Sequence, residues 1–201
     1  MQQRLIIFTR YPEPGKTKTR MIPLLGPEGA AKLHRQLTEE TLKVVTQVDL
    51  DSLSVAIYFT GGNLTLMRQW LGDKWDYYRQ SEGDLGEKLQ SALQDTYREA
   101  IAKVVIIGVD CPDLTSAILL EAFEGLNQSD VVIGRAVDGG YYLIGLSRLL
   151  PELFDNIDWG SERVFKQTQN IAQGLNLEVS YLSTLRDVDR PEDLDLIHNL
   201  L

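Results

Sequence analysis

Lys103-Val104-Val105-Ile106-Ile107-Gly108-Val109 is the stretch that decides the fold. Its β-branched residues leave no polar face, as expected of a strand covered on both sides at the centre of a parallel sheet. Before it, residues 84–101 carry Leu85, Leu89, Leu93 and Tyr97 at helical spacing. After it, residues 116–126 read as a helix with Ile118, Leu119, Ala122 and Phe123 on its apolar face, capped by Asp113 or Thr115. A strand between two amphipathic helices is the repeating unit of an α/β fold.

The same alternation extends in both directions. Residues 4–9 form a buried first strand, residues 10–20 a loop, and a long helix begins near Pro27 with Ala31, Leu33, Leu37, Leu42 and Val45 on one face. A second strand at 53–60 stops at Gly61-Gly62, a helix covers 64–71, and 75–79 is a short third strand. Strands at 130–136 and 141–146 flank Asp138-Gly139-Gly140. Ser161 caps a helix through Gly174, 177–182 is a last strand, and Pro191 opens a short helix. The expectation is a three-layer α/β/α fold with a mostly parallel central sheet. With no internal repeat, long linker or composition break, residues 1–201 are expected to form a single domain.

Composition excludes several classes of function. The net charge of −9 disfavours nucleic-acid and anionic-membrane partners, both of which need a broad basic surface. No apolar run approaches the ~20 residues of a membrane span, so a cytoplasmic location is expected. A single cysteine, Cys111, excludes an intramolecular disulfide and a cysteine-rich zinc site. His34 and His198 are two histidines too few and too scattered for a histidine-rich metal site, and both are expected to be structural.

Against that acidic background one basic cluster stands out. Arg10-Tyr-Pro-Glu-Pro-Gly15-Lys16-Thr-Lys18-Thr19-Arg20 puts four cations and one acid in eleven residues directly after the first strand. In open α/β sheets ligands bind beyond the carboxyl ends of strands, where such a loop offers backbone N–H groups and cations to phosphate. Pro12 and Pro14 stiffen it and Gly15 permits close backbone approach. Neither a P-loop nor a dinucleotide-binding glycine signature occurs, and a solvated basic loop is the bland alternative.

Four further motifs carry oxygen donors or glycines. Asp110, in Gly108-Val-Asp110-Cys-Pro112-Asp113, follows the central strand and is the first candidate ligand for a divalent cation; Asp113 competes as a helix cap. In Asp187-Val-Asp189-Arg-Pro191-Glu192-Asp193, two acids one residue apart point the same way in extended backbone. One of them can complete a metal site, or either can cap the helix opened by Pro191. Asp138-Gly139-Gly140-Tyr141 is an ordinary turn or an acceptor site, with Asp138 as base and the glycines open to an acceptor. Gly83-Asp84-Leu85-Gly86 starts a helix where N–H groups can meet a nucleotide, or is simply its cap.

Taken in order, Phe8-Thr-Arg10-x-Pro-x-Pro14-Gly15-Lys16-x-Lys18-Thr19-Arg20, Gly83-Asp84-Leu85-Gly86, Gly108-x-Asp110-x-Pro112, Asp138-Gly139-Gly140-Tyr141 and Asp187-Val-Asp189-x-Pro191-Glu192-Asp193 span nearly the whole chain. That set resembles the glycosyltransferase-A-fold proteins related to phospholactate guanylyltransferase, including the radical-SAM/selenodomain-associated and arsenosugar-biosynthesis glycosyltransferases, within the nucleotide-diphospho-sugar transferase superfamily. The resemblance implies a Rossmann-like nucleotide-diphospho-sugar transferase fold and maps phosphate binding onto Lys16, Lys18 and Arg20. It assigns Mg²⁺ or Mn²⁺ to Asp110, and alignment through Pro191 favours Asp189 as the second ligand. The first loop departs from the glycine-rich pyrophosphorylase signature, having Pro-Glu-Pro-Gly-Lys instead.

The resulting expectation is a metal-dependent glycosyltransferase using a nucleoside-diphosphate sugar and a small-molecule acceptor. Arg10, Gly15, Lys16, Lys18, Thr19, Arg20, Gly83 and Asp84 would bind the nucleotide; Lys18, Arg20 and Asp138 would carry the chemistry; Asp138, Gly139, Gly140 and Tyr141 would meet the acceptor. The alternatives are a guanylyl- or cytidylyltransferase-like enzyme releasing pyrophosphate, and a catalytically silent nucleotide-binding protein.

Overall fold

The computed structural model describes residues 2–50 and 52–197. Seven strands, β1 (Gln3–Arg10), β2 (Leu53–Thr60), β3 (Asp76–Arg79), β4 (Lys103–Ile107), β5 (Val131–Ala136), β6 (Tyr141–Leu146) and β7 (Val179–Leu185), form one sheet in the order β3-β2-β1-β4-β6-β5-β7. All neighbours pair parallel except β6, which runs antiparallel to both β4 and β5. The carboxyl ends of β1, β4, β5 and β7 and the start of β6 therefore share one edge.

Two apolar layers cover the sheet. Leu5 and Ile7 of β1 pack with Leu42 and Val45 of α1 (Ile22–Val45), Met67 of α2 (Leu64–Leu71) and Phe123 of α4 (Ser116–Gly125). Ile6, between them in sequence, packs on the other face with Leu89 and Leu93 of α3 (Leu85–Arg98) and Ala172 of α5 (Val164–Gly174). Burial on both faces explains why β1 and β4 read as unbroken apolar runs. The three-layer, mostly parallel architecture expected from the sequence is the one observed. Among the described residues no helix is long and apolar enough to cross a membrane.

Local chemistry sets the element ends. Gly26, at φ +69°, breaks the first turn of α1, and Pro27 begins the regular stretch beyond it. Asn63 caps α2 by accepting the Leu66 N–H at 3.0 Å. Of the two caps expected for α4, Thr115 is the one observed, its hydroxyl accepting the Ile118 N–H, while Asp113 is exposed. Two other expectations need correction. Ser161 accepts the Arg163 N–H in the turn before α5 and is not the cap of the helix itself. The last strand begins and ends later than 177–182 because only Leu182 within it is buried, so hydrophobic alternation marks it weakly.

Candidate functional site

The basic loop after β1 splits its cations between two tasks. Arg10 Nη1 donates to the Lys16 carbonyl at 2.6 Å and Lys16 N–H to the Glu13 carbonyl, which folds residues 10–16 back on themselves around Gly15 at φ +78°. Lys16 is 68% exposed, with Glu13 at 3.4 Å. Lys18 is the reverse case. Its backbone is left-handed at φ +49°, uncommon for a residue with a Cβ, and its side chain is only 4% exposed. The ammonium lies 2.8 Å from Asp110 Oδ1 and 3.7 Å from Asp189 Oδ1, and donates to the Val188 carbonyl at 2.5 Å. Arg20, 57% exposed, pairs with the other oxygen of Asp189.

The acids come from the far side of the sheet. Asp110 follows β4, and its carbonyl accepts the Val188 N–H at 2.8 Å. Val188 is fully buried with Met21, Leu33 and Leu37. Its burial turns Asp187 and Asp189 together toward the cleft that both line, as period-two backbone requires. Asp193, inside the 3₁₀ segment Pro191–Ile197, reaches back with its carboxylate to accept the N–H groups of Asp189 and Arg190.

The four cleft aspartates differ electrostatically. Burial opposes ionisation of Asp110, but the Lys18 charge and hydrogen bond, with a smaller contribution from His34, outweigh it and hold the carboxyl below its usual value. Asp187 is pushed up, first by burial and then by Asp138, Asp110 and Asp189. The cleft thus has one carboxylate stabilised by a fixed cation and one destabilised by its own neighbours.

The β5–β6 turn and residues 157–163 close the cleft. Asp138 Oδ1 accepts the Gly140 N–H at 2.8 Å. Gly139 has φ +92°, and a Cβ there would lie 2.2 Å from the Glu162 carbonyl oxygen. The Phe165 N–H also binds the Gly139 carbonyl at 2.9 Å. Gly139 therefore answers to packing against its own chain, and the expected approach of an acceptor at that glycine is closed. Gly140 and Tyr141 do line the cleft, with the Tyr141 ring edge-on to Trp159 at 6.3 Å.

Two adjoining cavities result. One, of about 300 Å³, is lined by Leu85, Gly108, Asp110, Trp159 and Val164 among others; its neighbour, of about 410 Å³, by Ser161, Arg186, Arg190 and Glu192. They share Arg20, Asp138, Gly160, Ser161, Asp187 and Asp189. Trp159, Arg186 and Arg190 carry no sequence signal, since each is an isolated residue in a segment without periodicity, and Ser161 reads only as a helix cap.

Of the residues expected to bind nucleotide, Lys18 and Arg20 meet the aspartates, and Arg10 shapes the loop. Lys16 and Thr19 belong to the same loop without lining either cavity. Gly83 and Asp84 shape the start of α3 and line neither cavity. Asp84 and Glu87 form a reciprocal capping box, and a Cβ on Gly83 would lie 2.1 Å from Glu87 Oε2. His34 is buried, its Nε2 at 3.0 Å from the Arg10 carbonyl and 3.2 Å from Thr9 Oγ1, which fits the structural role expected of it. Cys111 is buried and its thiol is pushed up, mainly by burial and then by Asp110, so it is no nucleophile. His198 lies outside the described residues.

The donor set suits a hard divalent cation. Asp110 Oδ1, Asp189 Oδ1 and the Val188 carbonyl already converge on one cation, the Lys18 ammonium. Among the described residues no three His, Cys, Asp or Glu side chains come together closely enough to hold a metal. The chain thus offers two carboxylates, and Mg²⁺ or Mn²⁺ would draw its remaining ligands from water and phosphate.

The model of a family described as uncharacterized proteins conserved in bacteria, DUF2064, matches residues 41–161. Among curated proteins no match is found. A Desulfovibrio desulfuricans G20 structure with the provisional name nucleotide-diphospho-sugar transferase is 32% identical, with a TM-score of 0.92 over 98% of this chain and 87% of that one. A nucleotidyl transferase from Methanothermobacter is 16% identical, TM-score 0.69, over 98% and 96% of the two chains. Rv0371C of Mycobacterium tuberculosis, solved as a complex with manganese, is 17% identical, TM-score 0.61, over the full length of both. The fold is that of the nucleotide-diphospho-sugar transferases, as the order of motifs implied.

Proposed function

The chain belongs to the bacterial family DUF2064, and from that premise we propose that it is a nucleotide-using transferase which moves a sugar from a nucleoside-diphosphate sugar to a small acceptor. On this reading it is a single-domain cytoplasmic enzyme of the branch related to phospholactate guanylyltransferase. The observation that carries the reading is the meeting of Lys18 and Arg20 with Asp110 and Asp189 at the carboxyl edge of the sheet. Cations and carboxylates within one cleft supply what a diphosphate leaving group needs: a seat for a divalent ion and fixed positive charge beside it. The name borne by the 32% identical relative agrees with it.

Asp110 and Asp189 would hold Mg²⁺ or Mn²⁺, which when bound supplies Lewis-acid neutralisation of the diphosphate. Arg20 and Lys16, paired with Asp189 and Glu13 but largely exposed, would turn to phosphate oxygens when a nucleotide binds. Asp138 stands at the wall shared by the two cavities, where it can orient an acceptor hydroxyl and take its proton.

Nucleotidyl transfer is the second reading. The exposed cations of the loop favour it, since departing pyrophosphate carries more charge than a nucleoside diphosphate. Product analysis separates the two: a free nucleoside diphosphate supports glycosyl transfer, and free pyrophosphate overturns it in favour of nucleotidyl transfer. A thermal-shift panel of nucleoside triphosphates and nucleotide sugars, with and without Mg²⁺ or Mn²⁺, tests the shared core. No response to any metal–nucleotide pair would sink both readings.

A further inference from the structure

We propose that Lys18 is a tethered cation occupying the metal seat of the free protein, so that this cleft takes its divalent ion as a metal–polyphosphate complex and binds the bare ion poorly. The inference deepens the proposed function and rests on its assignment of the metal to Asp110 and Asp189.

The geometry makes the two cations mutually exclusive. The ammonium is enclosed by three oxygens: Asp110 Oδ1 at 2.8 Å, Asp189 Oδ1 at 3.7 Å and the Val188 carbonyl at 2.5 Å. A divalent ion bridging the same carboxylates needs oxygens at about 2.1 Å, which would put it against the ammonium. Like charges so close in a partly dry site repel strongly, so one must leave. Lys18 is held there by more than its charge. Its stem is buried, its backbone sits in the left-handed region at the start of the 3₁₀ turn Thr19–Met21, and Val188, whose carbonyl it bonds, is anchored in the core. Arg20 adds a second positive group on Asp189.

A bare metal ion must therefore break these contacts with nothing offered to the displaced ammonium. A metal arriving with phosphate brings oxygens that the ammonium can bind instead. Metal and phosphate then favour one another through a shared residue, and by linkage the effect is reciprocal. Lys18 in this view is a positioning and selectivity residue, which excludes free Mg²⁺ or Mn²⁺ from an otherwise suitable carboxylate pair.

The test is a titration of the full chain with Mn²⁺ alone, following free Mn²⁺ by electron paramagnetic resonance. Wild type, Lys18→Met, Lys18→Arg and Asp110→Asn are compared, with folding checked by circular dichroism. Lys18→Met should bind Mn²⁺ about ten-fold or more tightly than wild type, within the usual range of coupling between sites. Lys18→Arg should remain weak, and Asp110→Asn should not bind. Equal or weaker binding by folded Lys18→Met, while Asp110→Asn abolishes it, overturns the proposal and leaves the metal assignment standing. Failure of wild type and Lys18→Met alike to bind Mn²⁺ overturns both.

If Lys18→Met does not fold, amine-reactive labelling of wild type read by mass spectrometry decides the matter. Lys18 should be protected without metal and become reactive at saturating Mn²⁺. Continued protection at saturation overturns the proposal.

Discussion

The cleft has two walls of opposite character. The β1 side contributes Lys18 and Arg20, and its cations are spent on partners: the first on Asp110 and Val188, the second on Asp189. The β5–β7 side contributes Asp138, Asp187 and Asp189, and the Asp187 carboxyl is raised first by burial and then by the neighbouring acids. Asp110 stands between them and sides with the cations. The difference teaches that compensation in this cleft is uneven: Lys18 and Arg20 each have a carboxylate partner, while Asp187 carries a cost of burial and like charge that an added cation would relieve.

The largest expected effect comes from breaking the scaffold of the acidic wall. Gly139→Ala would force a Cβ into the Glu162 backbone at a positive φ, and should cost about 3 kcal/mol from combined overpacking and backbone strain. Urea denaturation measures it; a loss under 1 kcal/mol would mean that residues 157–163 are not packed as described. Next is Asp110→Asn, which removes the carboxylate at the border. A metal–nucleotide ligand at a hundred times its dissociation constant should stabilise wild type by about 2.7 kcal/mol, and the variant should lose most of that gain in a thermal shift. An unchanged shift would discard Asp110 as a ligand.

The cationic wall can be probed through pH. Burial lowers the pKa of His34, so the unfolded chain takes up a proton first as pH falls. Stability held above the unfolded value of about 6.5 should therefore decline below it, by at most about 1.4 kcal/mol per pH unit, until the folded group also protonates. His34→Gln should flatten that part of the stability profile; an unaltered slope between pH 6.5 and 5 would reject the assignment. The smallest effect sharpens the acidic wall. Asp187→Asn removes the repelled charge and should stabilise the free protein by roughly 0.5 kcal/mol at pH 7, solvent screening keeping it small. A destabilised variant would show that Asp187 makes a contact worth more than the repulsion it suffers.

Much of this was legible in the residues. Strand β2 and helix α2 were readable to their ends, because Gly61-Gly62 and Asn63 punctuate them. The positions of Asp110 and of the basic loop followed from their strands, since a parallel sheet gathers its carboxyl ends at one edge. What was hidden was pairing across distance. Nothing in the local spacing says that Lys18 turns inward while Lys16 stays in water, for the difference lies in one left-handed backbone angle. The insertion of β6 between β4 and β5 was equally invisible, because it depends on the order in which strands meet. Gly83-Asp84 shows the converse: the capping signal is local and visible in the residues, and the structure has the capping box it implies.

The Lys18–Val188 hydrogen bond joins residues 170 apart in sequence. Contacts of such separation form late, because closing the intervening chain costs entropy before it returns any stability. During synthesis the first three strands can pair while Met21, Leu33 and Leu37 still wait for Val188 to cover them. The cleft is thus assembled only when residues 170 apart in the chain have met.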